Sequence, residues 1–411
     1  MTSSLVTISV TDSPVPDLRG VPDIFKEALA VREDLLDRMA DLENDLAELV
    51  GVDSGSDDAR GIGLMLDIMG RHLERLGFEV DCPSPSCGAL VARHHAKLPG
   101  PKVLLVGHVD TVFGPGSAAA RPLVRAGSRL TGAGVADMKG GLALALHTMT
   151  SLIRRFDTPL LNGEIVIALS TDEEIGSPTG GPIMERAAEG AAAALVLEPA
   201  RPGGELVLER KGMAQGQLTA RGRTAHPGVD PERGRSALIA LANAAIALEA
   251  MSDPSAGITC TVGSLHSGSR PNVVPSDAVL EFDLRAPDAQ SFERGIRAIE
   301  SIGASPAVPD VSIDIEWRGT YPPMSATVES RRLLAVARQV GTALGLPIRG
   351  VSTGGASDGN AIAALGIPVL DGLGPVGGGA HGPDEYVELD SLPDRGALLA
   401  GVLLALGRGH V

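Results

Sequence analysis

Short, unbroken apolar runs alternate with amphipathic helical segments through the first half of the chain. The clearest runs are VLLVG (103–107), EIVIALS (164–170) and AALVLE (193–198). A strand with one face in water alternates apolar and polar residues, whereas a strand buried on both faces is apolar throughout. These runs therefore predict a parallel or mixed sheet that is covered by helices.

Two amphipathic helices precede this sheet. Apolar residues recur at three- and four-residue steps over 22–50, which predicts one long helix with a charged outer face. The polar stretch 53–57 ends that helix, and a second helix is expected over 59–76, followed by a strand at 78–80. We expect about the first twenty residues to be loose.

The pattern of apolar and polar residues changes near residue 210. Alternating small, apolar and polar residues in GMAQGQLTARGRTAH (212–226), ITCTVGSL (258–265) and AVLEFDLRA (278–286) surround an Ala-rich helical segment at 236–251. Alternation of this kind predicts strands with one buried face. The order of strand, helix, strands and helix indicates an antiparallel sheet with helices on one face.

Runs of the buried type return after the Tyr321-Pro322-Pro323 segment, with a helix predicted at 331–344 and a strand near 367–370. The simplest arrangement is a discontinuous main domain, 1–209 and 324–411, interrupted by a smaller domain at 210–323. A chain of 411 residues agrees with two domains or perhaps three, since domains usually have roughly 100–200 residues.

Charge and composition exclude several classes of function. The formal charge is −16 and only 2% of the residues are aromatic, so phosphate backbones and anionic lipids are repelled and bases find few stacking partners. No stretch reaches the ~18 apolar residues of a membrane helix. Three cysteines, Cys82, Cys87 and Cys260, favour a reducing compartment. We expect a cytoplasmic protein that binds neither nucleic acid nor membranes.

Acids and a histidine follow the buried runs directly. His108 and Asp110 come after VLLVG, Glu173 and Glu174 come after EIVIALS, and Glu198 ends the third run. In open α/β sheets the carboxyl ends of the strands are where ligands and catalytic groups collect. We therefore expect these side chains to lie together at one edge of the sheet.

The residue types at these positions match a site for two metal ions. Two imidazoles and three carboxylates suit Zn²⁺, with Co²⁺ or Mn²⁺ as substitutes, and the candidate ligands are His108, Asp137, Glu174, Glu198 and His381. If one carboxylate is shared, each ion receives one histidine and one further carboxylate, which leaves room for water. Asp137 lies in the glycine-rich turn GVADMKGG before a predicted helix at 142–152 and is the natural bridge.

The neighbouring acids divide into different roles. Glu174 is assigned to metal and Glu173 to the general base that later acts as an acid. Asp110 lies two residues after His108, on the same face of an extended segment, and is expected to accept the ring N–H of that histidine. Taken singly, each residue has a plainer explanation, because a lone histidine is usually an ordinary polar residue and paired acids usually cap helices.

Blocks of sequence from about residue 103 to 388 resemble the M20 metallopeptidases, in the order found in that family. The blocks are VGHVDTV, GAGVADMKGGLA, STDEEIGS, LVLEPA, RTAHPGVDPERGRSA, RPNVVP and GGGAHGPDEYV. The resemblance implies two zinc ions per subunit, bridged by Asp137, with His108 and Glu198 on one ion and Glu174 and His381 on the other. It also implies catalytic roles for Asp110 and Glu173.

The same resemblance implies a fold for the chain and roles for residues in its middle part. It implies an α/β fold, with a zinc-peptidase-like catalytic domain of mixed sheet and helices and an inserted α+β ferredoxin-like lid that also forms a homodimer. His226 would reach across the dimer to the substrate carbonyl. Asn272 and Arg285 match lid residues that bind the terminal carboxylate of the substrate in the carboxypeptidase G branch.

These features predict a metal-dependent hydrolase that releases a C-terminal amino acid from a substrate with a free carboxylate, with a glutamate carboxypeptidase as the nearest pattern. An N-acyl-amino-acid deacylase, an aminopeptidase or a tripeptidase of the same family are the alternatives, and a catalytically silent binding scaffold is the alternative of another class. Five other histidines are expected to be exposed and without a metal role: His72, His94, His95, His147 and His266.

Overall fold

The computed structural model describes residues 6–7, 22–81, 88–94, 100–155 and 163–410. Most of the N-terminal segment that we expected to be loose lies outside these residues, as do Cys82, Cys87 and His95. The chain forms two compact units. The first comprises Met1–Glu209, Ala326–Thr353 and Ala361–Val411, and the second comprises Arg210–Ser325 and Gly354–Asn360.

The described residues form strands and helices with the following bounds. The strands are β1 (Val6–Thr7), β2 (Glu79–Asp81), β3 (Ala89–His94), β4 (Lys102–His108), β5 (Val124–Ala126), β6 (Arg129–Thr131), β7 (Glu164–Ser170), β8 (Ala191–Val196), β9 (Leu206–Arg210), β10 (Gly212–Arg221), β11 (Thr259–Ser267), β12 (Asp277–Ala286), β13 (Ser312–Tyr321), β14 (Gly350–Thr353), β15 (Val369–Leu370), β16 (Gly377–Gly378) and β17 (Tyr386–Glu388). The helices are α1 (Pro22–Asp37), α2 (Met39–Val50), α3 (Ala59–Arg75), α4 (Ser117–Ala120), α5 (Gly140–Arg155), α6 (Gly181–Ala188), α7 (Ala237–Glu249), α8 (Ala289–Ala304), α9 (Val328–Leu344), α10 (Asp358–Ala364) and α11 (Ser391–Gly407).

The first unit is built around a mixed sheet whose described strands have the order β15-β8-β4-β7-β3-β2. Strands β15, β8, β4 and β7 are parallel neighbours, and β3 and β2 continue the sheet in antiparallel pairs. The runs predicted as buried strands are β4, β7 and β8. Val103, Leu104, Leu105 and Val106 of β4 are all fully buried, which confirms the mixed α/β fold predicted from the unbroken apolar runs.

Helices supply the rest of this core. Helix α11 is apolar on nearly every face and is buried along most of its length, against α1, α5 and α9. Helix α5 also buries most of its residues. A helix that is apolar all round must be covered by other elements. The central sheet is therefore held in place by a layer of helices that leaves the strand ends free to carry polar groups.

The prediction of one long helix over 22–50 was wrong. The segment forms α1 and α2, which are separated at Arg38, where φ is −110° and ψ is 22°. The Arg38 guanidinium donates hydrogen bonds to the carboxylate of Asp34 at 2.6 Å and to the backbone carbonyl of His147 on α5 at 3.4 Å. Periodicity alone cannot detect this tertiary contact at the break, since both halves keep the same apolar spacing.

The second unit has the order strand, helix, two strands, helix, strand. Its sheet order is β11-β12-β10-β13 with antiparallel pairs, which is the arrangement of a ferredoxin-like fold. Alternate residues of β10 and β12 are buried. Helices α7 and α8 pack on these strands and on each other, and the shared core includes Leu218, Leu241 and Leu284. The antiparallel sheet with helices on one face follows from that alternation.

The boundaries of the compact units differ in detail from those expected from sequence. The chain leaves the first unit after Glu209 and returns to it at Ala326, and the short segment Gly354–Asn360 belongs to the second unit. That segment is tied down locally, because the side-chain amide of Asn360 donates to the backbone carbonyls of Lys211 and Pro322. No helix among the described residues is long and apolar enough to cross a membrane.

The close approach of α5 to the end of β8 gives a test of this packing. A Cβ on Gly141 would lie 2.2 Å from the carbonyl oxygen of Leu197, so Gly141→Ala should lower the free energy of unfolding by about 1–3 kcal/mol. A Cβ on Gly70 of α3 would meet only ordinary contacts at 3.8 and 3.9 Å. Gly70→Ala should therefore be neutral or stabilising, because alanine favours helix. Thermal unfolding of both variants checks this packing, and equal effects would contradict it.

Candidate metal centre

Three parallel strands bring most of the predicted ligands together. His108 is the last residue of β4, Glu173 and Glu174 lie in a short helical turn directly after β7, and Glu198 follows β8 by two residues. Since β4 lies between β7 and β8, the carboxyl ends of the three strands meet at one edge of the sheet. This is the edge at which open α/β sheets place ligands.

Asp137 reaches the same edge from the turn that leads into α5. Gly134 opens this turn with φ of 72°, and a Cβ there would lie 2.7 Å from Cγ2 of Thr111. Glycine is therefore required both by the left-handed backbone and by the close approach. The turn is held by the buried carboxylate of Glu385, which accepts backbone N–H groups of Gly134, Ala136 and Asp137 at 2.8, 2.8 and 2.9 Å.

His381 lies in the loop between β16 and β17. Its φ of 64° is in the left-handed region, which is uncommon for a residue with a side chain. The loop Gly379–Gly382 closes with a hydrogen bond from the Gly382 N–H to the Gly379 carbonyl at 2.9 Å. The imidazole of His381 lies beside the carboxylates of Asp137 and Glu174, which come from two other parts of the chain.

The carboxylate of Asp137 lies between the two imidazoles. Its Oδ1 is 3.2 Å from Nε2 of His108, and its Oδ2 is 3.2 Å from Nε2 of His381. Glu198 Oε1 is 3.5 Å from Nε2 of His108, and Glu174 Oε2 is 3.1 Å from Nε2 of His381. Each side of Asp137 thus has one histidine and one further carboxylate, the division that the sequence predicted for two ions.

These separations fit a metal ion. Ligand atoms about 2.0–2.1 Å from a tetrahedral ion lie about 3.3 Å from each other, and the four distances around Asp137 run from 3.1 to 3.5 Å. Oε1 of Glu174 is buried without a hydrogen-bond partner among the described residues. A buried carboxylate oxygen normally has a partner, and a cation would supply one here.

The carboxylates strongly alter the acidity of the imidazoles. Burial lowers the pKa of His108, but its hydrogen bonds to Asp110, Asp137 and Glu198 outweigh burial and hold this pKa well above 6.5. Hydrogen bonds to Asp137 and Glu174 raise the pKa of His381 to about 10. Burial raises the pKa of Asp137, yet its hydrogen bonds to both histidines keep the net pKa below its usual range.

Asp110 is fully buried and contacts both His108 and the turn that carries Glu173. Nδ1 of His108 lies 3.0 Å from the backbone carbonyl of Asp110 and 3.3 Å from its carboxylate, so this ring nitrogen donates and Nε2 faces Asp137. The carboxylate accepts the hydroxyl of Ser56 at 2.6 Å and the N–H groups of Glu173 and Glu174 at 3.1 Å. Asp110 therefore fixes a candidate metal ligand, His108, and the turn that carries Glu173.

Ser56 and Glu385 were not singled out from the sequence. Ser56 lies in the polar stretch 53–57, which predicts only the end of a helix, and Glu385 lies within the GGGAHGPDEYV block, in which the resemblance implies a role only for His381. Burial together with a hydrogen-bond partner far away in sequence is what distinguishes these two residues. A single sequence carries no direct signal for such a contact.

The remaining predicted residues belong to the second unit. His226 is exposed, and its Nδ1 accepts the N–H of Gly228 at 3.2 Å, which leaves Nε2 as the donor nitrogen of the neutral ring. Asn272 is exposed in a turn. Arg285 on β12 makes two hydrogen bonds to Asp283 of the same strand, at 2.8 and 2.9 Å.

His147 departs most from the expectation of exposure, and His72 on α3 and His94 on β3 are half-buried. His147 of α5 is buried, and its Nε2 lies 2.8 Å from Asp45 while its Nδ1 lies 3.3 Å from the Arg38 guanidinium. Burial lowers the pKa of His147 despite the neighbouring Asp45. The expectation failed because α5 is covered by other helices on a face that the local sequence pattern does not identify as buried.

Comparison with known proteins shows the family of this chain. The sequence model of peptidase family M20/M25/M40 matches residues 104–405. The chain belongs to this family. Carboxypeptidase G2 of Pseudomonas sp. (strain RS-16) is 30% identical over 89% of this chain and 89% of that protein. A succinyl-diaminopimelate desuccinylase of Thioalkalivibrio sulfidiphilus is 30% identical over 75% of this chain and 84% of that protein.

Solved structures have the same fold. A tripeptidase of Staphylococcus aureus superimposes with a TM-score of 0.73 at 22% identity, over 90% of this chain and 99% of that one. An M20 family metallo-carboxypeptidase of Sulfolobus solfataricus gives a TM-score of 0.69 at 18% identity, over 88% of this chain and 98% of that one. The protein is thus an M20 family metallopeptidase, a hydrolase, and the residues around Asp137 are its candidate metal ligands.

The raised pKa values predict how metal binding depends on pH. Neighbouring carboxylates raise the pKa of both His108 and His381 in the metal-free protein, whereas a bound ion requires neutral imidazoles, so loading at pH 7 should release protons. Metal affinity should rise with pH through the range in which His381, with a pKa of about 10, loses its proton. Calorimetry in buffers of different ionisation enthalpy measures the release. His381→Gln should release about one proton fewer, and no release at pH 7 would contradict the prediction.

Proposed function

We propose that the protein is a two-metal hydrolase that cleaves an amide bond and releases a C-terminal amino acid. The position of Asp137, with one carboxylate oxygen beside each imidazole, is the observation that carries this proposal. His108 and Glu198 would hold one ion, and Glu174 and His381 the other. The nitrogen and oxygen donors suit Zn²⁺, with Co²⁺ or Mn²⁺ as substitutes.

When bound, the two ions would lower the pKa of a water molecule and polarise the carbonyl of the scissile bond. Glu173 supplies the proton transfer: its carboxylate takes the proton of the water and then donates it to the leaving amine. Its backbone N–H is held by Asp110 at 3.1 Å, so the turn is fixed while the side chain remains partly exposed. Glu173 also interacts electrostatically with His108, which supports its place beside the ligands.

His226 is proposed to stabilise the negative charge that develops on the carbonyl oxygen of the substrate. Its exposure and its donor Nε2 support this role, because the Gly228 N–H already occupies Nδ1. In the proposed homodimer this histidine acts on a substrate bound by the partner subunit. The exposed apolar residues Ile239 and Ile246 of α7 support a dimer through the second unit, since they are 52% and 72% exposed.

Asn272 and Arg285 are proposed to bind the carboxylate of the released amino acid. Two hydrogen bonds between Arg285 and Asp283 use Nε and Nη2 of the guanidinium. The remaining Nη1 can still donate to a substrate carboxylate. This arrangement makes Asp283 a support that orients the arginine, and it predicts recognition of a free carboxylate rather than of a substrate amine.

The substrate class rests on the relatives. Carboxypeptidase G2 matches over most of both chains, which favours a glutamate carboxypeptidase, whereas the desuccinylase match at the same identity keeps an N-acyl-amino-acid deacylase as the second candidate. Both release an amine from an amide, so they share the proposed mechanism. The intact set of candidate ligands and the presence of Glu173 speak against a silent scaffold.

The decisive experiment measures amine release from N-acyl, benzoyl and peptidyl amino acids with Glu, Asp, Leu, Arg or Lys at the carboxyl end. Glu173→Gln should lose at least about a hundredfold in kcat, because general acid–base catalysis contributes 10²–10⁴-fold. The variant should still bind the metal, since Glu173 is not a proposed ligand. Glu185→Gln on α6 replaces an exposed glutamate and should retain full activity.

Release of the C-terminal amino acid by the metal-loaded protein, and its loss after chelation, would establish the reaction and rank the side chains. An aminopeptidase would instead require a free amine at the other end of the peptide. If wild type and Glu173→Gln were equally inactive on every substrate while both bound metal, the carboxypeptidase and deacylase assignments would be wrong.

The proposed dimer has its own test. Ile246→Asp introduces a charge on the exposed apolar face of α7, so it should convert a dimer into a monomer of 42.1 kDa and lower turnover by removing His226 of the partner subunit. Leu365→Asp places the same charge at an exposed leucine of the first unit and should leave the mass unchanged. Light scattering after size exclusion gives the masses. A wild-type protein that is already monomeric would overturn the dimer.

A further inference from the structure

The carboxylate of Glu385 is buried in the first unit, next to the turn that carries Asp137. The residue is 1% exposed. Oε1 accepts N–H groups from both Ala136 and Asp137, and Oε2 accepts the N–H of Gly134. A buried carboxylate is costly unless hydrogen bonds satisfy it, and here three backbone donors from a single turn do so.

These contacts define the backbone path of the Asp137 turn. The three backbone N–H groups all point to the carboxylate of Glu385. Gly134 has a left-handed backbone, and Asp137 has φ of −116° and ψ of 95°, outside the helical region. Neither residue can donate within a regular helix in this conformation, so their N–H groups need another acceptor. Glu385 is that acceptor, and it holds Asp137 by its own N–H at 2.9 Å.

Glu385 also belongs to the segment that carries His381. It lies four residues after this histidine and immediately before β17, and β17 pairs with β6 in the first unit. His381 Nε2 is 3.2 Å from Oδ2 of Asp137. One side chain therefore connects the backbone of the candidate bridging ligand to the loop that presents a second ligand.

We propose that Glu385 is a positioning residue, which sets the orientation of Asp137 between His108 and His381 and so preorganises the site for metal. It is not itself a proposed ligand of metal or substrate, because both of its oxygens face the backbone N–H groups of this turn. Partners of this kind around metal ligands typically change metal affinity by roughly 10–100-fold. The inference rests on the proposed metal centre but not on any particular substrate.

Replacement by glutamine tests this role with little change in shape. Glu385→Gln replaces one acceptor oxygen by an NH₂ group, which would face backbone N–H donors and cannot accept from them. We expect Zn²⁺ and Co²⁺ affinity to fall roughly 10–100-fold and the visible spectrum of the Co²⁺ protein to change in intensity and position. With metal in excess, kcat should fall while KM changes little, since substrate contacts are untouched.

Glu388→Gln is the matched control. Glu388 lies three residues further along, on β17, and forms an ion pair with Arg129 at 2.8 Å, with its side chain 29% exposed. The same change of charge there should leave metal affinity and the Co²⁺ spectrum unchanged. Glu385→Asp keeps the charge and both acceptor oxygens, so it should recover part of the lost affinity if Glu385→Gln folds poorly.

The outcomes separate the inference from the proposed reaction. Wild-type metal affinity and spectrum in Glu385→Gln, with only a lower unfolding temperature, would show a purely structural role and overturn the inference. Reduced affinity and an altered spectrum would support it even if no substrate in the panel were cleaved. Absence of Co²⁺ binding in the wild-type protein would overturn both the inference and the metal centre on which it rests.

Discussion

The candidate metal centre of the first unit depends on one carboxylate, that of Asp137, which lies between two imidazoles. Asp137 can contact His108 and His381 at once only if a sheet edge, a glycine turn and a distant loop all end at the same place. Each imidazole has a second carboxylate beside it, from Glu198 or Glu174. Without metal, contacts of 3.1–3.5 Å between imidazoles and carboxylates hold this cluster together, and with metal the same atoms would become ligands.

Buried supports around the cluster limit its freedom. Asp110 is fully buried and joins Ser56, His108 and the turn of Glu173 through its carboxylate and its backbone carbonyl. Glu385 performs the corresponding task for the turn of Asp137. Both are carboxylates whose hydrogen bonds are mostly to backbone N–H groups, so each fixes a piece of chain rather than a single side chain. Rigid support of this kind is what makes a polar site geometrically specific.

The features predicted best from the sequence are those that depend on a short stretch of neighbouring residues. The candidate ligands His108 and Glu198 lie at the ends of apolar runs, and such runs determine both the strands and the edge at which they end. The alternation in β10 and β12 likewise identified the antiparallel sheet of the second unit. The break of the first helix at Arg38, the burial of His147 and the role of Glu385 depend on contacts between distant residues. Glu385 and Asp137, for example, lie 248 positions apart, and no short pattern in one sequence records their meeting.

The central claim is that Asp137 bridges two metal ions. Anomalous diffraction from crystals grown with Zn²⁺, recorded above and below the zinc absorption edge, tests it most directly. The account predicts two peaks per chain about 3.5–4 Å apart, one on the side of His108 and Glu198 and the other on the side of His381 and Glu174. A single peak, or peaks away from Asp137, would contradict it.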